Sequence, residues 1–146
     1  MNVTLSPPAP RAGQPLPRVS VVVPCYNYGR FLPACVDSIL SQTGVEADVL
    51  IVDDASPDGS GEVAQALAAG HTRVRAIRHT VNRGHIATYN EGLAQVQGDY
   101  VALLSADDLL TPGSLQRATR LMQAHPEVGL VYGHPRTFTD PSPPKA

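Results

Sequence analysis

Residues 19–23, 48–52, 74–77 and 101–104 are short apolar runs, and a stretch of helical periodicity separates each from the next. That alternation constrains the fold more than any other feature of the chain. The runs at 19–23 and 48–52 are continuous and rich in β-branched residues, as expected of strands covered on both faces, whereas 74–77, flanked by charge, reads as nearer the edge. Residues 101–104 read as one more buried strand, and 128–132 as a last short one. Phe31, Cys35, Ser38, Ile39 and Gln42 recur at helical spacing over 30–42, with Pro33 in the first turn, where proline is tolerated. A second helix, capped by Asp58 or Ser60, carries Val63 and Leu67 inward and stops at Gly70. A third, over 85–96, aligns Ile86, Tyr89, Leu93 and Val96. A fourth, over 113–124, opens after Pro112 and turns Leu115, Ala118, Leu121 and Met122 inward. Strands alternating with such helices give βαβ units: an α/β fold, a three-layer α/β/α sandwich with a mainly parallel, Rossmann-like sheet.

Hydrophobic residues make up 42% and charged residues 16% of the 146 positions, which suits one globular domain with one core. Prolines cluster toward the two ends. The expected organisation is a disordered Pro-rich arm over 1–18, a domain over 19–134 and a Pro-rich tail over 135–146. The net charge of -2 provides no electrostatic footprint for nucleic acid or an anionic membrane. No run approaches the roughly 18 apolar residues of a transmembrane segment. The first 17 residues lack the apolar middle of a secretory signal. Cys25 and Cys35 fit neither a disulfide framework nor a zinc site, and read as buried free thiols. The expected location is cytoplasmic, with peripheral contact at the inner membrane face.

Right-handed crossovers bring the turns after successive parallel strands to one sheet edge, where open α/β sheets bind ligands. Those turns carry Pro24-Cys25-Tyr26-Asn27, Asp53-Asp54, Asn82-Arg83-Gly84 and Ser105-Ala106-Asp107-Asp108. Two acidic pairs at one edge repel: unit charges about 4 Å apart at an effective dielectric of about 20 interact by about 4 kcal/mol. An oxygen-rich cluster without histidine suits a hard cation, Mg²⁺ or Mn²⁺, whose coordination a substrate phosphate completes. Arg83 can pair with phosphate oxygens, the first acidic pair can accept hydrogen bonds from a base or ribose, and Tyr26 can offer a flat face to a base. Each residue also has a purely structural reading: a helix cap for the aspartates, a solvated charge for Arg83, core packing for Tyr26. No P-loop, G-x-G-x-x-G or G-x-S-x-G motif is present. The histidines show no metal spacing; His71, His79, His125 and His134 read as surface residues, and His85 as a candidate phosphate contact.

The four turn blocks, in this order and spacing, resemble the nucleotide-sugar-binding N-terminal part of a family 2 glycosyltransferase with the GT-A fold. The likeness runs over roughly 19–132 and includes Asn90-Glu91-Gly92 and Gly98-Asp99-Tyr100-Val101. It implies a nucleotide-diphosphate sugar donor, often UDP-linked, and an acceptor that is a glycan, lipid or protein. Pro24, Tyr26 and Asn27 would line the base pocket. Asp54, with Asp53, would hold uracil or ribose, and Arg83 would approach the inner wall or the phosphate. Ser105, Ala106 and Asp107 occupy the family's D-x-D position, with Asp107 and Asp108 on Mn²⁺ or Mg²⁺. Ser105 replaces the first acid of that motif. The usual acceptor-binding half is lacking and no catalytic base stands out: Asp140 is the only acid after Glu127, and its surroundings do not resemble the family's base motif. A truncated chain, a donor-binding portion completed by a partner chain, and a non-catalytic interaction module all follow from that shortness. A nucleotidyltransferase would need a glycine-rich basic loop where Pro24-Cys25-Tyr26-Asn27 stands.

Overall fold

A computed structural model describes residues 13–138, so most of the expected arm and tail, and Asp140, lie outside the described residues. The elements are β1 (Arg18–Cys25), α1 (Leu32–Leu40), β2 (Glu46–Asp53), α2 (Ser60–Gly70), β3 (Val74–Arg78), α3 (His85–Gln95), β4 (Tyr100–Leu103) and α4 (Ser114–Ala124). All strand pairs are parallel, and the four-stranded sheet has the order β3-β2-β1-β4. Cys25 pairs with Asp53, and Asp53 with Arg78, so three strands end level with one another. The turns that follow them therefore start from one line, the carboxyl edge of the sheet.

β1 and β2 are buried along almost their whole length because both faces are covered. Val21, Val23, Val49 and Ile51 pack on one face with Leu32, Cys35, Val36 and Ile39 of α1, Ala64 of α2 and Leu115 of α4. Val22, Leu50 and Val52, on the other face, are equally buried. That face belongs to α3, whose Gly92 sits directly on Val22: a Cβ there would lie 2.4 Å from Val22 Cγ1. Glycine at this position is what lets the helix approach the sheet.

Four expectations are corrected. The run at 101–104 is not a buried strand: among the described residues β4 lies at the end of the sheet, pairs only with β1, and leaves Val101 and Leu103 about half exposed, at 49% and 51%. Residues 128–132 form no strand; Leu130 and Tyr132 are exposed, and no ladder partner meets them among the described residues. The aligned apolar face of α3 is not its packed face. Thr88 and Gly92 are buried, whereas Ile86 and Leu93 are exposed, because the small residues allow the closer approach. Arg18, expected in the arm, is already in β1.

Candidate functional site

A cleft of about 610 Å³ opens at the carboxyl edge. Pro24, Tyr26 and Asn27, from the end of β1 and the loop after it, line one side. Asp54, Asn82 and Gly84 come from the turns after β2 and β3, and Ser105, Ala106 and Asp107 from the turn after β4. His85 and Thr88, from the first turn of α3, also line it. Residues widely separated in the chain thus share one concavity because parallel strands of matched register end together.

Local hydrogen bonds fix each turn. Asn27 adopts the left-handed region, φ 60°, and its N–H donates to Ser56 Oγ at 3.0 Å. Tyr26 leaves its ring half exposed beside the cleft. Asp53 and Asp54 are successive residues at a strand end, so their side chains point to opposite sides. Asp53 is fully buried and turned inward; it accepts from the Ser56 hydroxyl at 2.6 Å and the Ser56 N–H at 3.2 Å. It does not line the cleft. Asp54 does. Its carboxylate accepts the Arg83 N–H at 2.7 Å, the Gly84 N–H at 2.9 Å and His79 Nδ1 at 2.7 Å. Burial pushes the Asp54 carboxyl upward, but the hydrogen bonds from His79, Arg83 and Gly84 outweigh it and hold the group below the ordinary aspartate range. Gly84, at φ 86°, occupies the left-handed side of the backbone map and turns both N–H groups onto this carboxylate.

Arg83 reaches the site through its backbone. Its guanidinium pairs with Glu91 at 2.9 Å instead of lining the cleft. His79, expected at the surface, is buried, and its Nε2 lies 2.9 Å from the same Glu91 carboxylate. His85 does line the cleft and meets the Tyr89 ring edge-on at 4.6 Å.

The turn after β4 extends the ladder by one bond, from the Leu104 N–H to the Val22 carbonyl, and then closes through the Asp108 N–H on the Ser105 carbonyl. Ala106 is buried and Asp107 exposed. Asp108 lies beside Asp107 but is not part of the lining; partial burial, then the neighbouring Asp107 charge, push its carboxyl up. Among the described residues, no three His, Cys, Asp or Glu side chains converge as a metal cage. Two adjacent carboxylates at the mouth of a cleft still fit a Mg²⁺- or Mn²⁺-type ion, which commonly takes one or two carboxylates and completes its shell with phosphate and water. The mutual repulsion at Asp107 and Asp108 is what such an ion would relieve. Among the described residues, no helix is long and apolar enough to cross a membrane.

This parallel sheet with its helices and carboxyl-edge cleft is the GT-A fold of the glycosyltransferases. It superposes on the mannosyltransferase PcManGT from Pyrobaculum calidifontis, in complex with GDP-Man and Mn²⁺, with a TM-score of 0.66, at 28% identity over 73% of this chain and 32% of that one. TarS from S. aureus aligns with a TM-score of 0.65, at 25% identity over 74% of this chain and 33% of that one. The chain belongs to glycosyl transferase family 2, whose sequence profile matches residues 20–145. It is 36% identical to the glycosyltransferase EpsJ of Bacillus subtilis over 71% of this chain and 30% of EpsJ. It is equally identical to the glycosyltransferase GlyG of Streptococcus pneumoniae, over 72% of this chain and 35% of GlyG. The chain thus spans about a third of the length of these relatives.

Proposed function

We propose that this domain binds the nucleotide-diphosphate portion of an activated sugar, UDP-linked, and holds it for transfer to an acceptor. The observation that carries the reading is the shared cleft: Tyr26, Asn27 and Asp54 at one side and Asp107 at the other line a single space of about 610 Å³. Tyr26 and Pro24 would flank the base, and Asp54 the base or ribose. The Asp54 carboxylate is buried and already takes three donors, so it would hold the cleft wall against which the base or ribose rests. Asp53 supports this geometry from behind through Ser56. Asp107, with Asp108, would hold Mn²⁺ or Mg²⁺ against the diphosphate; bound there, the ion would neutralise charge on the leaving group.

The acids lining the cleft are Asp54 and Asp107. One is tied to the cleft wall and the other committed to the cation, so neither is free to deprotonate an acceptor hydroxyl. The catalytic base and the acceptor platform, for a glycan, lipid or protein, are assigned to sequence outside this cleft or to a partner chain. Calorimetric titration with UDP in the presence of Mn²⁺ tests the reading. Saturable heat for the wild type that is lost in Asp107→Ala supports it. No heat for the wild type, or unchanged heat in the variant, overturns it.

A further inference from the structure

Glu91 and His79 form a closed ring of contacts with Asp54 and Arg83. His79 Nδ1 lies 2.7 Å from Asp54 Oδ1, and its Nε2 lies 2.9 Å from Glu91 Oε2. Arg83 Nη1 donates to the same Glu91 oxygen at 2.9 Å, and the Arg83 N–H donates to the same Asp54 oxygen at 2.7 Å. The ring therefore joins three separate pieces of chain: the turn after β2, the turn after β3 and the second turn of α3. The histidine side chain is only 3% exposed, so water does not substitute for either partner. A neutral imidazole has one N–H and can donate to one carboxylate only. With a proton on each nitrogen it donates to both, and the set of two carboxylates, one guanidinium and one imidazolium is neutral.

We propose that His79 is a positioning residue of the donor cleft: its doubly protonated ring ties Asp54 to Glu91 and so fixes the Arg83-Gly84 turn that forms one wall. The proposal rests on the donor-cleft reading above. The charged groups in contact with the ring are Asp54 and Glu91, and Arg83 reaches it through Glu91. Arg78, the preceding residue, is directed to Glu62 at 2.8 Å and to Asp53 at 4.0 Å, and the His79 N–H donates to the Asp53 carbonyl at 2.8 Å. Without the ring, the wall loses its tie to Asp54 and to α3. Nucleotide affinity then falls without any change in a group that touches the ligand.

The test compares UDP and GDP binding by the wild type, His79→Gln and Glu91→Gln, with Mn²⁺ present at neutral pH. The ratio of wild-type to His79→Gln affinity is expected to be about tenfold, since a glutamine cannot bridge both carboxylates. Glu91→Gln, at the partly exposed end of the ring, is expected to keep the fold and to lose a smaller part of the affinity. Nitrogen-resolved NMR of the wild-type imidazole is expected to show two N–H protons, which a merely space-filling ring would not need. A ratio near one, or a ring carrying a single proton, overturns the proposal. If neither nucleotide binds the wild type, the donor-cleft reading fails and this proposal with it. If nucleotide binds and the ratio is near one, only the proposal fails.

Discussion

Replacing Asp54 by asparagine keeps the shape of the side chain and removes its charge, at a position where three donors converge. In the better of two amide orientations, the asparagine oxygen still accepts from Arg83 N–H and His79 Nδ1, while the NH₂ group meets the Gly84 N–H, which the carboxylate accepts at 2.9 Å in the wild type. One hydrogen bond to a charged acceptor, worth about 1.5–3 kcal/mol, becomes a donor–donor clash, and two others lose roughly 1 kcal/mol each of charge assistance. The expected destabilisation is about 3–5 kcal/mol, a large fraction of the 5–15 kcal/mol that commonly separates folded from unfolded domains. Because the chain has no tryptophan, urea unfolding followed by far-ultraviolet circular dichroism is the assay. The pH dependence has a definite sign. The folded-state pKa of Asp54 lies below its ordinary value, so the stabilisation is present in full above the ordinary carboxylate range. It disappears as falling pH protonates the folded-state carboxyl. The gap between wild type and variant therefore closes in acid. A gap below about 1 kcal/mol at neutral pH, or one that grows in acid, refutes the reasoning about this carboxylate.

Gly92→Ala would push a methyl group into the fully buried Val22, and is expected to destabilise the fold by about 1–3 kcal/mol in the same unfolding assay, with partial recovery in the Val22→Ala background. Asp107→Asn is expected to leave stability within about 0.5 kcal/mol of wild type, since the residue is exposed. In that variant the Asp108 carboxyl should titrate lower by NMR but remain raised, because burial is the larger cause and the Asp107 charge the smaller. Burial, reinforced by the Asp108 and Asp107 charges, pushes the Cys35 thiol up to about 12, so a thiol-specific reagent at mildly alkaline pH should leave it unreacted until the protein is unfolded. Val101→Lys with Leu103→Lys, on the half-exposed end strand, should reduce self-association in sedimentation experiments while leaving the melting temperature little changed.

The sheet was legible in the sequence to the extent that burial on both faces imposes continuous β-branched runs, as in β1 and β2. The run of β4 carries the same signal, yet its burial depends on which strand lies beyond it, and nothing in 101–104 encodes that neighbour. Helix α3 misled for a related reason: periodicity marks Ile86 and Leu93 as a face, but close approach selected Thr88 and Gly92. At the site, the order of the turns pointed to one edge, and Asp54, Tyr26 and Asp107 do meet there. Which of Asp53 and Asp54 faces the cleft is a question of strand phase, and adjacent aspartates look alike in sequence. His79 carried no spacing motif. Its signal was topological: Asp53 pairs with Arg78, so the next residue on each strand, Asp54 and His79, are neighbours.

In the donor cleft proposed above, one nucleotide diphosphate would rest across the turns that follow β1, β2, β3 and β4. Backbone amide NMR during titration with UDP and Mg²⁺ reads this residue by residue. Concerted shifts are expected at Tyr26 and Asn27, at Asp54, at Gly84 and His85, and at Ala106 and Asp107, all saturating with one dissociation constant. Shifts confined to the opposite end of the sheet, around Arg18, Arg73 and Arg75 where a second, smaller cleft of about 370 Å³ lies, or shifts at one turn alone, would contradict it.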